Sequence, residues 1–193
     1  MNVTNLNRGS LEFTSNAFLV TDGPGSTTAL VDAGNTDSVI DKIKDRVDGI
    51  DKVILTHTHP DHVGALDKIK EVFDLEAWGY DTENPHVDHP LKEGDAVEMG
   101  GVEFHVIHTP GHKDDHVCLY GDGVIFAGDL VFAGGSFGRT DLAEGDRETL
   151  KSSIKKLLDE VDEFEEMHAG HQKSLDRNVK EQIELSLRNA ESF

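Results

Sequence analysis

Thr56-His57-Thr58-His59-Pro60-Asp61-His62 follows directly on the apolar run Val53-Ile54-Leu55, and reads as a cluster of metal ligands at the end of a strand. Three imidazoles and a carboxylate combine neutral nitrogen with anionic oxygen, a donor mixture that binds divalent ions. On an extended segment side chains two apart point the same way, so His57 and His59 can grip one ion together. Pro60 stops the strand and suits the first turn of a helix, which sends Asp61 and His62 in another direction and toward a second ion. The spacing fits two neighbouring centres better than one.

Outward from this stretch, apolar periodicity predicts strands and helices in turn. Apolar runs over 11–21 and 27–33 flank the turn cluster Asp22-Gly23-Pro24-Gly25, an opening hairpin. Val39, Ile40, Ile43 and Val47 give 35–47 a helical period. A strand over 51–56, a helix over 61–73 and a strand over 75–80 follow, then a polar loop over 81–89. Gly100-Gly101 marks a hairpin between 95–99 and 102–107. Further strands cover 117–120 and 124–127, and amphipathic helices over 148–161 and 176–189 enclose a short strand near 165–168. This order is an α/β pattern. Gly134-Gly135-Ser136-Phe137-Gly138 lies in a loop and lacks the spacing of a phosphate-binding loop. With 193 residues, 36% of them hydrophobic, the chain is expected to make one domain over 1–193.

The 38 acidic residues against 18 Lys and Arg leave a formal charge of -20, with a pI near 4.7. Such a surface repels phosphate backbones and argues against a nucleic-acid partner. The acids are scattered rather than gathered in a tail, and Asp exceeds Glu while Lys is sparse, which resembles proteins of salt-accumulating archaea. Cys118 is the only cysteine, in the apolar setting of a core residue, so no internal disulfide is expected. The amino-terminal residues lack an apolar signal core and no stretch has the length of a membrane span. The expectation is a soluble cytoplasmic protein of a halophile.

Thr109-Pro110-Gly111-His112, Ala127-Gly128-Asp129 and Ala169-Gly170-His171 each set a ligand-type residue behind an apolar strand and a glycine. Strand ends collect at one edge of a sheet, so seven such residues can converge there. The order His-x-His-x-Asp-His, Thr-Pro-Gly-His, Gly-Asp and Gly-His, spread over residues 12–171, resembles the metallo-β-lactamase superfamily. The resemblance implies a four-layered αββα sandwich with the metal site at the edge between two sheets. It also implies two divalent ions, most simply zinc, with iron or manganese as alternatives. His57, His59 and His112 would hold the first, Asp61, His62 and His171 the second, and Asp129 would bridge them. A hydroxide held between ions roughly 3.5 to 4 Å apart then exists at neutral pH as a nucleophile. Asp61 would orient it, so Asp61 and Asp129 count as catalytic as well as ligating.

Within the superfamily, Gly138-Arg139-Thr140-Asp141 following Gly128-Asp129-Leu130-Val131-Phe132 resembles both short glyoxalase II-like hydrolases and persulfide dioxygenases. A small-molecule thioester suits a site with no evident general acid, because a thiolate leaves with a pKa of about 8.5. Glyoxalase II proper carries a carboxyl-terminal helical extension that helps bind glutathione, and about one helix of length follows His171 here. The alternative is a mononuclear iron dioxygenase using His57, His112 and Asp129; an RNA-processing nuclease and a non-catalytic binding protein rank lower. Arg139 is the expected anion contact, unless Asp141 pairs with it, and His116 a candidate to face the substrate. His86, His89 and His105 are expected to be ordinary strand or loop residues, His108 structural or supporting, and His168, three before His171, to point to the opposite face of its strand.

Overall fold

The computed structural model describes residues 1–80 and 83–192; the first two positions of the expected polar loop, 81 and 82, lie outside the described residues. In chain order the elements are β1 (Asn2–Asn5), β2 (Phe18–Thr21), β3 (Ala29–Val31), α1 (Ser38–Lys44), β4 (Lys52–Ile54), α2 (Pro60–Val63), α3 (Leu66–Phe73), β5 (Ala77–Gly79) and β6 (His89–Pro90). After them come β7 (Ala96–Met99), β8 (Val102–His108), β9 (Val117–Gly121), β10 (Val124–Gly128), β11 (Val131–Phe132), β12 (Ser136–Phe137), α4 (Arg147–Glu160), β13 (Glu166–Ala169) and α5 (Val179–Ser192). Among the described residues the first six strands form one sheet in sequence order, and a second sheet runs β13-β10-β9-β8-β7.

Alternation along the strands builds four layers. Leu19, Leu30, Val53 and Leu55 face Val39 and Ile43 of α1 and Leu66 and Ile69 of α3. Their strand neighbours Phe18, Val20, Val31 and Ile54 face Phe104, Val106, Leu119 and Phe126 of the second sheet. On that sheet's far side Ile107, Cys118, Ile125 and Met167 pack against Leu150, Ile154 and Leu157 of α4 and Ile183 of α5. Period-two strands buried on both faces, with amphipathic helices outside, are the αββα sandwich. No helix among the described residues is long and apolar enough to cross a membrane.

The predicted hairpin forms, with Phe18 opposite Val31, but its first strand is shorter than expected. Leu11 and Phe13 are exposed, and β2 begins only at Phe18, because the backbone before it bonds elsewhere. Ser15 donates to the Asp61 carbonyl at 3.2 Å and Asn16 to that of Gly170 at 2.7 Å. β2 pairs with β3 as expected and also with β1, a strand without an apolar signal. The expected helix over 61–73 is divided. The Ala65 N–H donates to Gly34 at 3.1 Å and the His62 carbonyl accepts from Ala33 at 2.8 Å, so the ladder breaks between α2 and α3. The short α2, with Pro60 in its first turn, therefore carries Asp61 and His62 alone. His89, expected in the loop, pairs in β6 beside β5 and stacks on Trp78 at 4.4 Å. The glycine-rich stretch after Phe132 makes a 3-10 turn and the β11–β12 ribbon, held by Gln182 and Asn189 of α5.

Candidate metal centre

The site lies where the loops after β3, β4, β8, β10 and β13 meet. Its base is Asp32, just past β3 and 1% exposed. Oδ1 accepts from the Thr56 N–H, and Oδ2 accepts from the Thr56 hydroxyl and from His62 Nδ1–H, each at 2.8 Å. Asp32 adopts φ 58°, a left-handed conformation that Asp tolerates better than most residues. Sequence reasoning passed over it. The signal was present: Val31-Asp32-Ala33-Gly34 sets a carboxylate behind an apolar strand, as in the other ligand loops.

His57, past the end of β4, directs Nε2 to within 3.1 Å of His59 Nδ1, which lies 2.9 Å from His112 Nε2. These are the three histidines expected on one ion. The His112 ring is oriented by Nδ1–H, which donates to the Arg139 carbonyl at 2.7 Å and leaves a lone pair on Nε2. Asp61, His62 and His171 form a second set, and His57, His62 and Asp129 a third; within each set the donor atoms lie within 4.8 Å of one another. Asp129 stands between the first two sets. Its Oδ1 is 3.5 Å from His62 Nε2, while Oδ2 is 3.5 Å from His112 Nε2 and 3.4 Å from His171 Nε2. All seven expected ligands are thus brought together.

Two observations test whether these groups suit metal ions. His62 Nε2 and Asp129 Oδ1 are buried and lack hydrogen-bond partners, a costly state unless a cation lies between them. The donor chemistry agrees, since burial and then His62 hold His57 well below the ordinary imidazole range, and burial and then His112 lower His59. Neutral imidazoles are the ligating form. For His62 burial acts downward, but Asp32 and Asp129 outweigh it and raise the group well above its usual value. Burial likewise opposes the Asp129 and Asp61 hydrogen bonds to His171, which still rises to about 9. Burial pushes Asp129 up, yet His62 and His171 hold it well below the usual carboxylate range. The carboxylates create a demand for positive charge here, which divalent ions meet.

His116 does not face a substrate. It is fully buried, with Nε2 accepting the Asp129 N–H at 2.9 Å and Nδ1 beside Thr109 Oγ1 at 2.8 Å. Burial, then His112, lowers it to about 3, so the neutral ring donates through Nδ1 and holds the backbone of Asp129 through Nε2. Gly128 makes this approach possible, with φ 46° and no side chain where a Cβ would stand 2.5 Å from His116 Nε2. The Arg139 side chain is exposed and bidentate to Asp141, both contacts at 2.9 Å; the ion-pair reading holds and only its carbonyl touches the site. His108 stacks on Tyr80 at 3.9 Å and bonds the Asp114 carbonyl at 2.8 Å, a structural role. His168 is absent from all three ligand sets.

Residues 11–180 match the family model described as Metallo-beta-lactamase superfamily. The hydroxyacylglutathione hydrolase GloC of Haemophilus influenzae is 31% identical over 183 residues, which cover 82% of this chain and 86% of that protein. A hydroxyacylglutathione hydrolase of Aliivibrio fischeri is 35% identical over 138 residues, 70% of this chain and 54% of that protein; the chain matches about half the length of this longer relative. Among solved structures, TTHA1623 in a di-iron-bound form is similar with a TM-score of 0.75 and 29% identity, over 97% of this chain and 98% of that one.

Proposed function

The chain belongs to the metallo-beta-lactamase superfamily, and on that premise we propose that it is a two-metal hydrolase of small-molecule thioesters. The observation that carries the reading is Asp129, whose two carboxylate oxygens stand within 3.5 Å of nitrogens from both expected ligand sets. His57, His59 and His112 would hold one ion, Asp61, His62 and His171 the other, and Asp129 both. Such ions supply an acidified water and polarise the carbonyl under attack.

The chain's own groups set the geometry. Asp32 fixes the ring of His62, the Arg139 carbonyl fixes that of His112, and His116 fixes the backbone of Asp129. Asp61 is half-buried beside His171 at 3.2 Å and would orient the attacking water. Burial raises its pKa, but the His171 hydrogen bond and the charge of His62 outweigh burial, keeping it anionic. A thiolate leaving group needs no protein acid, which favours a thioester over an amide. The hydroxyacylglutathione hydrolases among the relatives support the same substrate class.

The second reading, a persulfide dioxygenase with one iron on His57, His112 and Asp129, uses residues of the same cluster, and the di-iron form of TTHA1623 favours testing iron. Metal analysis of protein purified in molar salt, followed by thioester hydrolysis and by oxygen uptake with a persulfide, separates the two. The hydrolase reading expects two ions per chain, thioester turnover and no oxygen uptake. One iron with uptake and no hydrolysis overturns it.

A further inference from the structure

We infer that Asn16 is the positioning residue of the second metal site, bracing the loop that carries His171 against the loop that carries Asp61. The inference rests on the two-metal reading and is independent of which substrate the site takes.

The two ligand sets are held differently. In the first, His57 and His112 are buried, and the Arg139 carbonyl directs the His112 ring. In the second, Asp32 directs His62, but the side chains of Asp61 and His171 are 15% and 28% exposed. His171 Nε2 lies 3.2 Å from Asp61 and 3.4 Å from Asp129, both of them metal ligands rather than outer partners. Phe13 and Phe132 flank the ring at 6.2 and 6.0 Å between centroids and direct neither nitrogen. The position of His171 therefore depends on its backbone.

That backbone is a turn. His171 lies past the end of β13, and Gln172 behind it adopts φ 66°, a left-handed conformation that is costly for a residue with a side chain. Asn16 spans the turn. Its N–H donates to the Gly170 carbonyl at 2.7 Å, and its amide nitrogen donates to the carbonyls of Ala169 at 2.8 Å and Gln172 at 3.0 Å, which uses both amide hydrogens. Asn5 Nδ2 donates to Asn16 Oδ1 at 2.8 Å and fixes the orientation of the amide. One residue earlier, the Ser15 N–H donates to the Asp61 carbonyl at 3.2 Å. Two consecutive residues thus tie together the loops that carry Asp61 and His171. The turn has little play, since a Cβ on Gly170 would stand 2.2 Å from Asp129 Oδ1 and 2.7 Å from His62 Cε1. None of these bonds reaches His57, His59 or His112, so loss of the Asn16 side chain should loosen the second site alone.

Cobalt(II) titration of the metal-free full chain, followed by absorption, tests the brace, with the second step assigned by its absence in His171→Ala. Asn16→Ala should weaken that step roughly 10- to 100-fold, the cost of losing an outer partner of a metal ligand, and leave the first step unchanged. Asn5→Ala, which only frees the Asn16 amide, should weaken the same step by less. Equal weakening of both steps in Asn16→Ala would mark Asn16 as a general structural residue, and an unchanged second step would remove the brace; either result overturns the inference. Urea unfolding of the metal-free variants shows which chains are folded, and where Asn16→Ala is not, Asn5→Ala decides by the same criteria. A native chain that binds one ion overturns the two-metal reading and this inference together. Two steps in the native chain that Asn16→Ala leaves intact overturn this inference alone.

Discussion

His168 packs its ring 5.1 Å from that of Phe18 and 5.2 Å from that of Phe126, and burial lowers its pKa to about 4. The folded protein therefore keeps it neutral through a range in which the unfolded chain, with an imidazole pKa of about 6.5, takes up a proton. Its contribution to stability is complete above pH ~6.5 and is lost as the pH falls from there toward about 4. The loss amounts to roughly 2 kcal/mol by pH 4.5. Replacing His168→Phe should remove this part of the acid sensitivity. Urea unfolding of the metal-free protein at pH 7 and pH 4.5 checks it, and an unchanged difference between the two pH values in the variant would show that His168 is not kept neutral. Sequence pattern left His168 out of the ligand set, but strand alternation is not what separates it from His171, which lies past the end of β13 and lines the same cleft. The pattern could not reach the role of His116, because contact with the Asp129 N–H depends on two loops meeting. For Asp32 the setting behind an apolar strand was legible, but its role was not, because its partners Thr56 and His62 are 24 and 30 residues away.

At the level of elements, strands and helices with clear periodicity were legible, as were the ligand loops behind the strands. What stayed hidden was where neighbouring loops take the backbone's hydrogen bonds. The segment before β2 bonds to the Asp61 and Gly170 carbonyls, so an apolar run that reads as strand becomes part of the site wall. A similar tie joins the two loops that hold the first histidine set. Thr58, between His57 and His59, donates to Asp115 Oδ2 at 2.6 Å and accepts from Asn84 at 2.9 Å. Asp115, three residues past His112, is 4% exposed, and Lys113 Nζ lies 3.3 Å from its Oδ1 and 2.8 Å from Glu144. This tether should set the separation of His112 from His57 and His59. An Asp115→Ala variant is expected to bind the first ion 10- to 100-fold more weakly, roughly the cost of losing an outer partner of a metal ligand, with the second ion little affected. Asp115→Asn, which keeps an acceptor for Thr58, should lose less. Cobalt(II) titration followed by absorption resolves the sites; unchanged affinity at the first site in the alanine variant would reject the tether.

Across the whole molecule, charge is the dominant long-range feature. Even if each of the 18 Lys and Arg neutralised one of the 38 Asp and Glu, 20 acids would remain uncompensated. Surface pairs such as Lys155–Asp159 and Lys151–Glu148 contribute little individually and weaken in salt, while the repulsion among the excess carboxylates is relieved by the same salt. With this imbalance, relief outweighs the lost pairs, so the folded state should gain stability as potassium chloride rises. The Debye length shortens from about 10 Å at 0.1 M to about 3 Å at 1 M, and a gain due to screening should therefore be largely complete near 1 M. A gain that continues steadily to several molar would instead point to exclusion of salt from the protein surface. Urea midpoints measured from 0.05 to 3 M potassium chloride distinguish these outcomes. We propose on this basis that the chain is adapted to a salt-accumulating cell, a proposal that fails if stability is flat or falls across the series.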